Sequence, residues 1–173
     1  MSPLHPIQNH IQVLVFTPSG WIRGIIHVPE IQTLFSFLNT SDEILKITDA
    51  VLPGTTQPHP FLALQKGATL LVVPQPGQDL GKVEASAVPK ERRLVTCLLT
   101  LGSIRGRLDV PEARRTSDFL IRSPRFIELN QCHIGPNPYL DPKEAVGEAM
   151  PLVYVNASAL VGTTEEPPPG LLI

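Results

Sequence analysis

Apolar residues along this chain come in short β-branched runs broken by glycine, proline and small polar residues. Runs at 12–17 and 94–100 each precede a turn centred on Gly20 or Gly102. A second run follows each turn, at 21–28 and 103–110, and stops at a proline, which cannot donate to a strand ladder. Each pair predicts a hairpin. Residues 31–39 and 113–121 carry apolar side chains at helical spacing over about two turns, so each predicts a short helix. Further strands are expected at 43–48, 61–65 and 69–73, and again at 125–131, 152–156 and 159–162.

The two sets are copies of one pattern. Residues 13–30 lie over 95–112 without a gap at a constant offset of 82, placing Gly20 on Gly102, Ile22-Arg23-Gly24 on Ile104-Arg105-Gly106, and Val28-Pro29-Glu30 on Val110-Pro111-Glu112. Phe37-Leu38 then falls on Phe119-Leu120, and 44–47 on 126–129. Beyond that point Leu64 matches Val155 at an offset of 91, so the second copy carries 9 extra residues within 135–151, where a surface loop is expected. Several short strands and one helix in so few residues predict a mostly β chain: two tandem small SH3/Sm-like, partly open β-barrels, each with one short helix. The expected organisation is an N-terminal arm (1–11), a first module (12–74), a Pro/Gly-rich linker (75–93), a second module (94–164) and a tail (165–173).

The pattern G-x-I-x-G-x-L, a short helix ending in S-F-L or D-F-L, and a following I-L-x-I or F-I-x-L resembles a bacterial family of uncharacterised Sm-like or SH3-like domains. It is carried by Gly20, Ile22, Gly24, Ile26, Phe37 and Leu38, and by Gly102, Ile104, Gly106, Leu108, Asp118, Phe119 and Leu120. The resemblance implies the small-barrel fold and, through the Sm comparison, RNA binding or ring assembly.

Composition narrows the function classes. Hydrophobic residues make up 42% and charged residues 17% of the 173, enough for a packed core and far from the regime of disorder. The first ten residues have neither a basic segment nor an apolar stretch of the secretory kind, and no apolar run approaches the roughly 18–20 residues of a membrane span. A cytoplasmic protein without a membrane partner is expected. Cys97 and Cys132 are too few for a disulfide framework, and they align with Val15 and Ala50 as small core positions. The net charge of −2 gives no overall attraction to nucleic acid. Charge is uneven, however: between Lys90 and Arg125 nine cations face four anions.

Comparing the two copies isolates candidate contact residues. Alternation puts Ile22, Gly24, Ile26 and Val28 on a shared core face, while Trp21 and Ile25 on the other face become Ser103 and Arg107 in the second copy. In the helix, Ile31, Leu34 and Phe35 become Ala113, Thr116 and Ser117. Two modules of one design need one core, so the surplus at Trp21, Ile25, Ile31, Leu34 and Phe35 is expected to form an apolar patch covered by the other module, a second subunit or a protein partner. The alternative is a first helix set deeper in its own core. Arg23 and Arg105, with Arg107, Arg114 and Arg115, are candidate anion or nucleic-acid contacts. A cross-strand ion pair, or a guanidinium packed over the sheet, is the simpler account of Arg23 and Arg105, and the basic stretch offers few aromatics for base stacking. Histidines and cysteines show no zinc-ligand spacing, and no catalytic or cofactor-binding signature is present. The expectation is therefore a non-enzymatic interaction or assembly module without cofactor or metal, with nucleic-acid (RNA) binding through the basic face of the second module as the alternative.

Overall fold

The computed structural model describes residues 7–83, 85–135 and 150–167. Most of the expected insertion within 135–151, the start of the N-terminal arm and the apolar end of the tail lie outside the described residues. In chain order the elements are β1 (Gln8–Thr17), β2 (Gly20–Pro29), α1 (Leu34–Leu38), β3 (Ile44–Val51), β4 (His59–Gln65) and β5 (Leu71–Pro74). Then come β6 (Lys90–Leu99), β7 (Gly102–Pro111), α2 (Thr116–Ile121), β8 (Phe126–Ile134), β9 (Met150–Asn156) and β10 (Leu160–Glu165). Single 3-10 turns, Lys66–Ala68 and Ala157–Ala159, join β4 to β5 and β9 to β10.

The mostly β architecture with one short helix in each half is as expected. Among the described residues the ten strands lie in one antiparallel sheet that does not close, in the order β10-β6-β7-β8-β9-β5-β1-β2-β3-β4. Both halves use the same internal order, with the fifth strand beside the first and the fourth at the far side. Strand β9 of the second half lies beside β5 of the first.

Local chemistry explains the hairpins and bends. Thr17 pairs with Gly20 and Leu99 with Gly102, and both glycines sit at positive φ, where a Cβ would be strained. The strands reach further back than their apolar residues do, to Gln8 and Lys90, because ladder hydrogen bonds continue through polar residues. Gly24 and Gly106 have a different role. Arg23 pairs with Val51 and Ile25 with Thr48, so Asp49 and Ala50 both oppose Gly24, and β8 bulges in the same way opposite Gly106. Asp49 and Gln131 take up the bulges at φ of 49° and 50°. A Cβ on Gly106 would lie 2.9 Å from Cys132 Sγ and 3.2 Å from Leu129 Cβ, and one on Gly24 would collide with Ile47 Cγ2. The Ile-Arg-Gly motif is thus a bulge site.

Two apolar cores flank the sheet. One gathers Val13, Val15, Ile22, Ile26, Leu34, Leu38 and Ile47 from the first half. The other gathers Val95, Cys97, Ile104, Leu108, Leu129 and Val153 from the second. Neither is made by one half alone: Phe126 and Tyr154 enter the first, and Leu14, Phe16, Leu71 and Val73 enter the second. Strands β1, β5 and β9 are therefore buried on both faces near the join, which is why they read as unbroken apolar runs (VLVF, LVV, VYV). Cys97 and Cys132 are free thiols inside the second core, and burial pushes the Cys132 thiol up to about 12.

Candidate interaction surface

The internal junction shows how this chain joins one half to another. Backbone pairing brings Leu71 opposite Val155 and Val72 opposite Tyr154, and the Asn156 amide donates to Leu70 O at 2.9 Å. Asn156 is fully buried. Its Nδ2 donates to Thr69 O (2.8 Å) and Lys66 O (3.2 Å), and its Oδ1 accepts from Ser158. On the other side of the join, Asn39 clamps the Phe126 backbone: Phe126 N–H donates to Asn39 Oδ1 at 2.8 Å, and Asn39 Nδ2 donates to Phe126 O at 3.1 Å. The Phe126 ring is thereby seated against the first-half core, and Phe35 and Tyr154 lie with ring centroids 6.1 Å apart. At the rim Arg125 forms a two-pronged ion pair with Glu43 (2.9 and 3.0 Å), which holds the Glu43 carboxyl below the usual range. Lys66, also at the join, is buried with Nζ donating to Thr40 O and Oγ1; loss of water lowers its pKa.

Among the described residues the two ends of the sheet are open: β4 pairs only with β3, and β10 only with β6. Beside β10 an open groove of about 660 Å³ runs between the strand and α2, lined by Thr116, Ser117, Leu120, Ile121, Leu160 and Gly162 among others. Its first-half counterpart, between α1 and β5, is the site that Phe126 and Tyr154 occupy. Counterpart residues record the difference: Leu70 is 6% exposed at the junction, whereas Val161 at the same place on β10 is 69% exposed. Exposed Ile121 on α2, Leu98 on β6, and Ile44 and Phe61 on β3 and β4 leave apolar surface at both ends.

The five apolar residues singled out from the sequence do not form one patch. Leu34 and Phe35 belong to the first core, with Phe35 against Tyr154 of the other half. Trp21 packs on Phe16 (centroids 4.9 Å apart) and against the second core, its Nε1 buried with no hydrogen-bond partner among the described residues. Ile25 is half-buried on β2 opposite Thr48, and Ile31 is exposed. Four of the nine cations between Lys90 and Arg125 are ion-paired. Arg105 pairs with Glu166, Arg92 with Asp109 (3.1 Å), Arg93 with Glu91 (3.0 Å) and Arg125 with Glu43. Arg23, Arg107, Arg114 and Arg115 are exposed and make no ion pair among the described residues, but Arg23 lies on β2 in the other half.

Asn39, Phe126, Tyr154 and Asn156 were missed by reading the sequence alone. The signal available was the pairwise difference between copies at 39 and 121, where a polar residue replaces an apolar one. Among the described residues no three His, Cys, Asp or Glu side chains are placed to hold a metal ion, and no helix is long and apolar enough to cross a membrane. Compared with protein-family models, curated proteins and solved structures, the chain matches none.

Proposed function

We propose that this chain is a non-enzymatic protein-interaction or assembly module, made of two SH3/Sm-like small barrel units, that engages its partner through the open ends of its sheet. The observation that carries the reading is the internal junction. One half completes the other by adding β9 to β5, and the same kinds of strand, β4 and β10, have no partner on their outer sides among the described residues. An open strand presents a row of unpaired N–H and C=O groups, and strand addition is a general mode of recognition. The shared fifth-first-second-third-fourth strand order supports the two-unit description.

Strand geometry supplies a clean test. Asn156 N–H points across the join, so its counterpart Gln65, and by the two-residue period Ala63, present N–H on the open side of β4. Ala63→Pro removes one outward donor without taking a bond from the β3 ladder, as proline at a sheet edge permits. Amide hydrogen exchange on isotope-labelled protein is compared in dilute buffer, at high protein concentration and in an extract of the cells that make it. Slowed exchange at Gln65 or along the outer side of β10 in the crowded samples, reversed for β4 by Ala63→Pro, is expected. Exchange at open-edge rates in every sample rules out the reading.

A further inference from the structure

We infer that the partner of each open end is the other open end of a second copy of this chain, joined head to tail in the register of the internal junction. This rests on the interaction reading above and adds the partner's identity and the pairing. Carrying the junction over by the offsets of 82 and 91 sets β4 beside β10, with Ala63 opposite Thr163 as Tyr154 is opposite Val72, and Leu64 opposite Gly162 as Val155 is opposite Leu71.

The side chains at these positions change in matched pairs, which favours a copy of this chain over an unrelated partner. At the junction Asn39 grips the Phe126 backbone, and the Phe126 ring enters the first-half core. Their counterparts are Ile121, 81% exposed, and Ile44, also exposed, so that contact becomes apolar on both sides. Phe35 and Tyr154, large against large, have Ser117 and Ala63 as counterparts, small against small. Asn156, whose amide reaches across to two carbonyls in the 3-10 turn region, has the exposed amide of Gln65 as its counterpart. The acceptors it would reach are Ala157 O and Leu160 O. Val161 would be covered as Leu70 is, and Phe61 would take the place of Leu152. The surface that follows Leu14, Phe16, Leu71 and Val73 on the free end is Thr96, Leu98, Gly162 and Thr164, more polar than its model. The contact is therefore weaker than the covalently tethered junction, and reversible. A head-to-tail contact uses two different surfaces, so each added chain leaves one of each kind free, and the assembly grows until rotation closes it.

Complementation between edge variants tests this directly. Ala63→Pro blocks β4 and leaves β10 intact; Thr163→Pro, the counterpart of a block at Val72, blocks β10 and leaves β4 intact. The wild type is expected to gain mass with concentration in light scattering coupled to size exclusion. Each variant alone stays a monomer, and an equimolar mixture yields a dimer of one of each that grows no further. Circular dichroism checks that both variants are folded. Independently of proline, Ala63→Cys and Thr163→Cys proteins mixed under mild oxidation form the mixed disulfide dimer, since directly opposed strand residues meet the Cα spacing a disulfide needs; the native cysteines are buried. Homodimers from either single variant would show symmetric edge pairing and overturn the head-to-tail register. A wild type that remains monomeric, with no mixed disulfide, overturns self-assembly. Edge protection in the cell extract would then still uphold the interaction reading, and its absence there would end both.

Discussion

Phe126→Ala tests whether the two halves fold as one body. Phe126 is on β8 of the second half, yet it has no solvent exposure because it sits among Leu34, Leu38 and Val72 of the first. Removing a buried phenylalanine side chain typically costs about 3–5 kcal/mol, the lost transfer energy plus the cavity left behind. The Asn39 clamp fixes the Phe126 backbone and limits collapse of the site, which keeps the cost within that range. With a urea slope of about 2 kcal/mol/M the unfolding midpoint falls by roughly 1.5–2.5 M. The more telling measurement is native-state hydrogen exchange in the first half, along the β2 and β3 ladders, which Phe126 does not join. If the junction makes one cooperative unit, those amides exchange through the same global opening and speed up by the same free energy, between about a hundredfold and several thousandfold. Wild-type protection in β2 and β3, with loss confined to β8 and β9, would refute the single-body account and reduce the junction to a contact between independent domains.

Two further predictions follow from local geometry. Gly24→Ala destabilises by about 1–3 kcal/mol in thermal or urea unfolding, because its Cβ meets Ile47 and the Thr48 carbonyl at the β3 bulge, whereas Gly67→Ala, with open space around it, changes stability much less; equal effects would remove the packing explanation of the motif. His27 stacks edge-on against His10 (centroids 4.4 Å apart), and its Nε2 lies 2.7 Å from Thr48 Oγ1; burial, then the neighbouring His10 charge, lowers its pKa below the ordinary 6.5. The fold therefore prefers the neutral ring: its contribution is complete above about pH 6.5 and is lost as pH falls through the lowered folded value. Urea midpoints between pH 7.5 and 5 should decline less in His27→Gln than in the wild type, and an unchanged decline would assign the titration elsewhere.

What could be read from the sequence was local, and what escaped was relational. The hairpins were legible because Gly20 and Gly102 need positive φ and because alternation around Ile22, Gly24 and Ile26 has only one buried solution. The comparison of copies found real differences, but it treated surplus apolar residues as one surface. In the fold they separate, since neighbouring residues of a strand face opposite sides: Phe16 and its companion Trp21 look toward the second core, while Val15 looks toward the first. Alternation reports which face a residue takes and says nothing about what covers that face.

The unbroken apolar runs carried the missing information. A strand of a one-sided sheet alternates, so VLVF in β1, LVV in β5 and VYV in β9 require cover on both faces, and only neighbours in the middle of a longer sheet receive it. Their counterparts break the run: β6 reads Val95-Thr96-Cys97-Leu98 and β10 reads Gly162-Thr163-Thr164. Apolar continuity thus marks the join, and its dilution marks the ends. For the head-to-tail contact inferred above, that gradient would set its strength relative to the junction. The junction, with an asparagine clamp, a buried ring and a doubly covered strand pair, is built to persist. The ends, with isoleucines exposed on both sides and threonines beside them, suit a contact that forms and parts with concentration. A variant that made the ends continuous, Thr163→Val with Thr96→Leu, would carry the junction's composition to the free edge, and the assembly it promotes would measure how much of the strength of that contact lies in this one sequence property.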